Sequence, residues 1–97
     1  MRIQFAAPLW EWGAKAGFYF VTLPTDAADE IAEIPRAARG FGSVRVRATV
    51  GGTTWSTSVF PDSKLGSYVL PIKNAVRSGE GIVEGDDVNV TLDVLDT

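Results

Sequence analysis

Hydrophobic and polar positions alternate without a break in SVRVRATV, residues 43–50. Val44, Val46, Ala48 and Val50 fall on one side, and Arg45, Arg47 and Thr49 on the other. A period of two is the mark of a half-buried strand. DVNVTLDVL, residues 87–95, repeats the pattern with Val88, Val90, Leu92 and Val94 inward. Gly51-Gly52 follows the first of these strands and predicts a two-residue hairpin turn of the primed type, so TTWSTSVF, residues 53–60, is the returning strand.

The front of the chain reads the same way. Ile3, Phe5 and Ala7 alternate with Arg2, Gln4 and Ala6 over residues 2–7, and the strand resumes through residues 9–12 beyond Pro8. Proline confines that position to an edge or a bulge. Gly13 and Gly17 bracket a turn, and FYFVTL, residues 18–23, is aromatic and β-branched, hence a strand expected to be buried on both faces. The period then changes. After Pro24, DAADEIAEI places Ala27, Ile31 and Ile34 on one helical face, with Thr25 as the expected N-cap, Asp26 and Asp29 in the first turn, and Pro35 as the stop.

PDSKLG reads as a turn and SYVL, residues 67–70, as a short strand. Pro71 then suits the first turn of a second helix, IKNAVRS, with Ile72, Ala75 and Val76 on its buried face and Gly79 as its cap. GEGIVEGDD is a turn region. The element order is β-β-α-β-β-β-α-β, with no linker, low-complexity tract or internal repeat.

Composition narrows the chemistry more than the fold. Ninety-seven residues suit one domain, residues 1–97. There is no cysteine and no histidine, which removes disulfides, thiolates, and the commonest general base and metal ligand. No metal or other cofactor is expected. Nine Lys and Arg against twelve Asp and Glu leave a net charge of −3, which works against long-range attraction to nucleic acid or an anionic membrane. No stretch approaches the roughly 20 apolar residues of a membrane span. MRIQFAAPLWEW makes a poor signal peptide, and the expected location is cytoplasmic, in a bacterial style of protein.

RGFGSVRV, residues 39–46, resembles the central RNA-recognition octapeptide at Arg39, Gly40, Phe41, Gly42 and Val44. Ser43 and Val46 stand where that motif needs aromatics, and the gap back to FYFVTLP is too short for the elements the recognition fold inserts. A glycine-rich turn entering a strand explains the stretch better. GEGIVEG lacks dinucleotide spacing, and Asp86-Asp87 lacks the alternating ligands of a calcium loop.

Ser56 and Ser58 have no histidine to activate them, and Lys73 is not in Ser-x-x-Lys spacing, so catalysis is not expected. Trp10, Trp12 and Trp55 are many for this length; residues so large commonly close a small core, and the other use is the floor of a ligand pocket. Arg45 and Arg47 project from one strand face beside Ser56 and Ser58, while Lys73 and Arg77 stand four apart on one helix flank. These groups form either a solvated basic face or an anion site. The candidate ligand-binding residues are therefore Arg45, Arg47, Trp55, Ser56, Ser58, Lys73 and Arg77.

GTTWSTSVFP (52–61), GSYVLPIKNAVR (66–77) and GIVEGDDVNVTL (81–92), taken in order, resemble the bacterial family known as domain of unknown function 1905. The front half is similar too, through Gly17, the aromatic strand, Leu23-Pro24, an acidic helix and Val44-Arg45-Val46. The resemblance implies a small closed β-barrel of the double-split type. It also implies an architecture shared with DNA-binding regulators and antitoxins, and occasional fusion to segments named for bacteriocin protection. It brings no catalytic residues.

The expected fold is thus mainly β: a closed barrel of about six strands, with two short helices at its ends and with Gly52, Pro61, Gly66, Pro71, Gly79 and Gly85 at its corners. Closure removes the exposed edges that six short strands would otherwise present. The expected function is a non-enzymatic module binding a small ligand or a protein partner, the alternative being a nucleic-acid binder using Arg45, Arg47, Lys73 and Arg77.

Overall fold

A computed structural model describes residues 1–33 and 42–95. Six strands, β1 (Arg2–Glu11), β2 (Tyr19–Thr22), β3 (Val44–Val50), β4 (Thr53–Asp62), β5 (Ser67–Pro71) and β6 (Asp87–Val94), close into an antiparallel barrel in the order β1-β2-β5-β4-β3-β6. Two helices, α1 (Thr25–Ala32) and α2 (Asn74–Glu80), complete the expected element order.

The two ten-residue strands make closure possible. β1 pairs with β6 from Arg2 to Pro8 and with β2 from Leu9 to Glu11; β4 pairs with β3 up to Val59 and with β5 from Phe60 onward. Pro8 and Pro61 sit where each strand changes partner, the kind of irregular place in a ladder that tolerates a missing N–H. At the first switch Leu9 N donates to Asp86 O and Gly85 N to Leu9 O, both over 2.9 Å, so the corner is hydrogen-bonded.

Alternation fills the interior. Val44, Val46, Ala48 and Val50 from β3 meet Val88, Val90, Leu92 and Val94 from β6, all buried, with Ile3, Ala7 and Leu9 from β1 beside them. Ala27, Ala28 and Ile31 on α1 and Val76 on α2 join the same core. Among the described residues no polar or charged side chain is buried.

Several local expectations are corrected. Thr25 is the first helical residue, not the cap: Pro24, at ψ 156°, is the N-cap residue and its carbonyl accepts from Ala28 N at 3.0 Å. In the first turn only Asp26 is acidic. Pro61 is not in the turn but pairs with Tyr68, and the turn moves to 63–66, where Asp62 Oδ1 accepts from Lys64 N and Leu65 N. Pro71 ends β5 instead of opening α2, because the ladder to β2 continues: Phe20 pairs with Pro71, and Ile72 N donates to Tyr19 O at 2.9 Å.

The helix therefore starts after Lys73, which turns Ala75 outward and carries the helix past Gly79. Gly81, at φ 65°, supplies the left-handed cap. The expectations for Ile34, Pro35, Arg39, Gly40 and Phe41 lie outside the described residues.

Candidate ligand-binding face

The partner switch gives the barrel two unlike outer walls. One is polar. Register places Arg2, Asp93, Arg47 and Ser56 in one outward row across β1, β6, β3 and β4, and Gln4, Thr91, Thr49 and Thr54 in the next. Arg2 grips Asp93 through Nε at 2.9 Å and Nη2 at 3.3 Å. That hydrogen bond, with the Coulomb attraction of Arg2 and Arg47, holds the Asp93 carboxyl below its ordinary pKa. Thr49 and Thr54 share a hydrogen bond of 2.9 Å.

The other wall is aromatic. Where β1 turns to β2, the even-numbered positions Trp10 and Trp12 face outward, because Leu9 faces in. Trp10 pairs with Phe20, and Phe20 with Pro71; on the next row Val69 of β5 pairs with Phe60 of β4. The small side chains of β5 thus lie between large rings on either side. The result is an open cleft of about 460 Å³, lined by these residues together with Phe18 and Asp62.

Trp12, Phe18 and Phe60 are 46%, 46% and 42% exposed, too much for core residues and unusual as a group on one face. Trp10 is fixed: its indole N–H donates to Thr22 Oγ1 at 2.9 Å and its ring lies 5.2 Å from Phe20. At the rim the Lys15 ammonium stands over Phe18, 4.8 Å from the ring centre.

Of the sequence-derived candidates, the structure brings together Arg47 with Ser56 and Arg45 with Ser58, as directly opposed pairs of the β3–β4 ladder. Trp55 opposes Ala48, on the inward side, and packs half-buried against the core, so the sheet separates it from that group. Arg77 is on the far wall. Its guanidinium lies 4.0 Å over Tyr19 of β2 and donates to the Ile72 carbonyl at 3.0 Å, and β2 is diametrically opposite β3 in the barrel. Lys73 is exposed beyond β5. Among the described residues no group of three or more acidic side chains is placed to hold a metal ion.

Sequence reasoning missed the aromatic face. FYFVTL was expected to be buried on both sides, yet Phe18 is exposed and Phe20 half-buried on the outer face, and Tyr19, turned the other way, is half-buried against the core. A usable signal was present: Trp10 and Trp12, then Phe18 and Phe20, recur at alternate positions of neighbouring strands.

The molecule is thus a small closed β-barrel with one aromatic outer face. The chain matches the Domain of unknown function family DUF1905 over residues 5–92 and belongs to it. No curated protein matches the chain.

Proposed function

We propose that this chain is a non-enzymatic binding module and that it takes a small ligand in the aromatic cleft. One observation carries the reading: five aromatic rings converge on one outer face, and among the described residues three of them stay more than two-fifths exposed. Leaving three large rings in water costs stability that a purely structural barrel has no reason to give up. A volume of about 460 Å³ lies within the range of small-molecule sites, and Trp10, held by both Thr22 and Phe20, is a rigid wall.

The test is a fragment screen on the full chain, read by the indole N–H signals of Trp10, Trp12 and Trp55. Ligands should move Trp10 and Trp12 and spare Trp55, which faces inward. Trp12→Ala should abolish the response with the fold intact by circular dichroism. A response of Trp55 with Trp10 and Trp12 unmoved would overturn the assignment.

A second reading draws on Arg45 and Arg47 opposite Ser58 and Ser56, a pair of cations beside hydroxyls that suits an anion. It has less support, because Asp93 stands opposite Arg47 on the other flank and offsets its charge.

A further inference from the structure

Given the aromatic cleft as the binding site, we infer that its ligand class is an organic cation carrying alkyl groups on nitrogen, such as a quaternary ammonium. Two observations lead there. Among the described residues Asp62 is the one ionisable side chain lining the cleft, so the lining itself carries negative charge, while the Lys15 ammonium stands outside it at the rim over Phe18. The ring faces around Asp62 carry negative electrostatic potential, and an alkylated ammonium answers both features: its methyl groups fill apolar space while its spread charge rests on ring faces.

The rim already shows the preference within the chain, where Lys15 sets its ammonium over Phe18. Spacing agrees as well. Phe20 on β2 and Phe60 on β4 are two strands apart, roughly 10 Å at the usual strand separation, so rings from both sides can reach one compact group between them. Asp62 is anchored for this role, since its Oδ1 accepts from Lys64 N at 3.0 Å and Leu65 N at 3.2 Å. An anion would meet Asp62 and the ring faces unfavourably.

The probes are choline and 3,3-dimethylbutan-1-ol, which share a shape and differ by nitrogen against carbon at the branch. Both are titrated into the full chain and followed by the Trp10 and Trp12 indole signals. Choline should bind roughly fivefold or more tightly than the alcohol, the size of a cation–π contribution in a partly open site.

Asp62→Asn, which keeps an oxygen for the Lys64 and Leu65 N–H groups, should narrow that gap by weakening choline more than the alcohol. Equal affinity for the two probes would overturn the cation inference and leave the cleft reading standing. Silence of both indoles to both probes would overturn the cation inference, and silence across the fragment screen as well would overturn the cleft reading. A dimer in sedimentation that dissociates in Trp12→Ala would also overturn the inference, because a second copy would then be the occupant.

Discussion

The indole nitrogen of Trp10 donates to the hydroxyl of Thr22 across 2.9 Å, from β1 to β2 on the outer face of the barrel. The bond fixes a large ring at the surface, where packing alone would leave it free to turn. Thr22→Val keeps the shape and removes the acceptor. The variant should lose about 0.5–1.5 kcal/mol of stability by urea titration. Its Trp10 indole N–H should also shift towards the solvent-exposed position. An unmoved resonance would mean that the bond does not form in solution.

Leu92 lies at the centre of the interior, fully buried, with Ile3 opposite on β1 and Ala48 opposite on β3. Leu92→Ala should cost about 2–5 kcal/mol, the range for removing a large aliphatic group from a packed core. Thr91→Ala, one residue away on the outer face, should cost much less. Similar losses at both positions would contradict the inward register of β6.

The register was legible because β3 and β6 each put every other side chain into the core; a slip of one residue would have turned Val88, Val90 and Leu92 outward. The barrel's corners were less legible. Pro61 and Pro71 read as breaks because local preference favours turns, but the ladder between β4 and β5, and that between β5 and β2, carries both residues within strands. That is a tertiary cause, invisible along the chain. Gly79 was displaced as a cap for a similar reason: Glu80 is held by Thr53 Oγ1 at 2.6 Å, which keeps the last turn of α2 against β4, and Gly81 takes the left-handed position. The aromatic face was hidden by the assumption that a wholly apolar strand is covered on both sides.

Gly51 and Gly52 occupy one hairpin turn but should not respond alike to substitution. Gly51 has φ +58°, and a Cβ there would run into the Glu80 carboxylate; Gly52 has no such φ, and its nearest neighbour is 4.0 Å away. Gly51→Ala must either adopt the left-handed conformation at a cost of about 1–2 kcal/mol or distort the turn. It must also push Glu80 away from Thr53. Gly52→Ala lacks both penalties. Thermal melts of the two variants should rank Gly51→Ala clearly lower, and Glu80→Ala in the Gly51→Ala background should add little further loss.

The pair formed by Arg2 and Asp93 sets a pH expectation. The hydrogen bond from Arg2 comes first among the causes that lower the Asp93 pKa in the folded state, with Arg47 adding to it. A carboxyl depressed on folding contributes stability above its unfolded pKa, and loses it as pH falls through the folded value. The loss therefore begins at about pH 4 and proceeds downward. It is small, because both partners are in contact with water. Asp93→Asn should flatten the acid limb of the melting curve and have its main effect above pH 4. A variant with the parent's acid limb would show that the pair contributes nothing measurable.

Nucleic acid provides the sharpest contrast with the cleft. Specific recognition of single strands draws roughly 1–3 kcal/mol per base from stacking on exposed aromatics. Rings do stand exposed on this barrel, but they lie over β1, β2 and β4 around Asp62, a carboxylate that would repel a phosphate backbone. The cations Arg45 and Arg47 stand on β3, and Arg77 is engaged over Tyr19 on the opposite wall. Asp93 opposes Arg47 across the β3–β6 ladder. Arg45 and Arg47 therefore stand on a different wall from the rings, and the cations on the ring side, Lys15 and Arg77, are already engaged over Phe18 and Tyr19.

Affinity for mixed-sequence RNA or duplex DNA should stay at the non-specific level, on the order of 10⁻⁴ to 10⁻⁶ M near physiological salt. The net charge of −3 works against even that. Fluorescence anisotropy near 150 mM salt makes the measurement. Submicromolar binding that disappears in Arg45→Ala/Arg47→Ala would move the functional surface from the aromatic wall to β3.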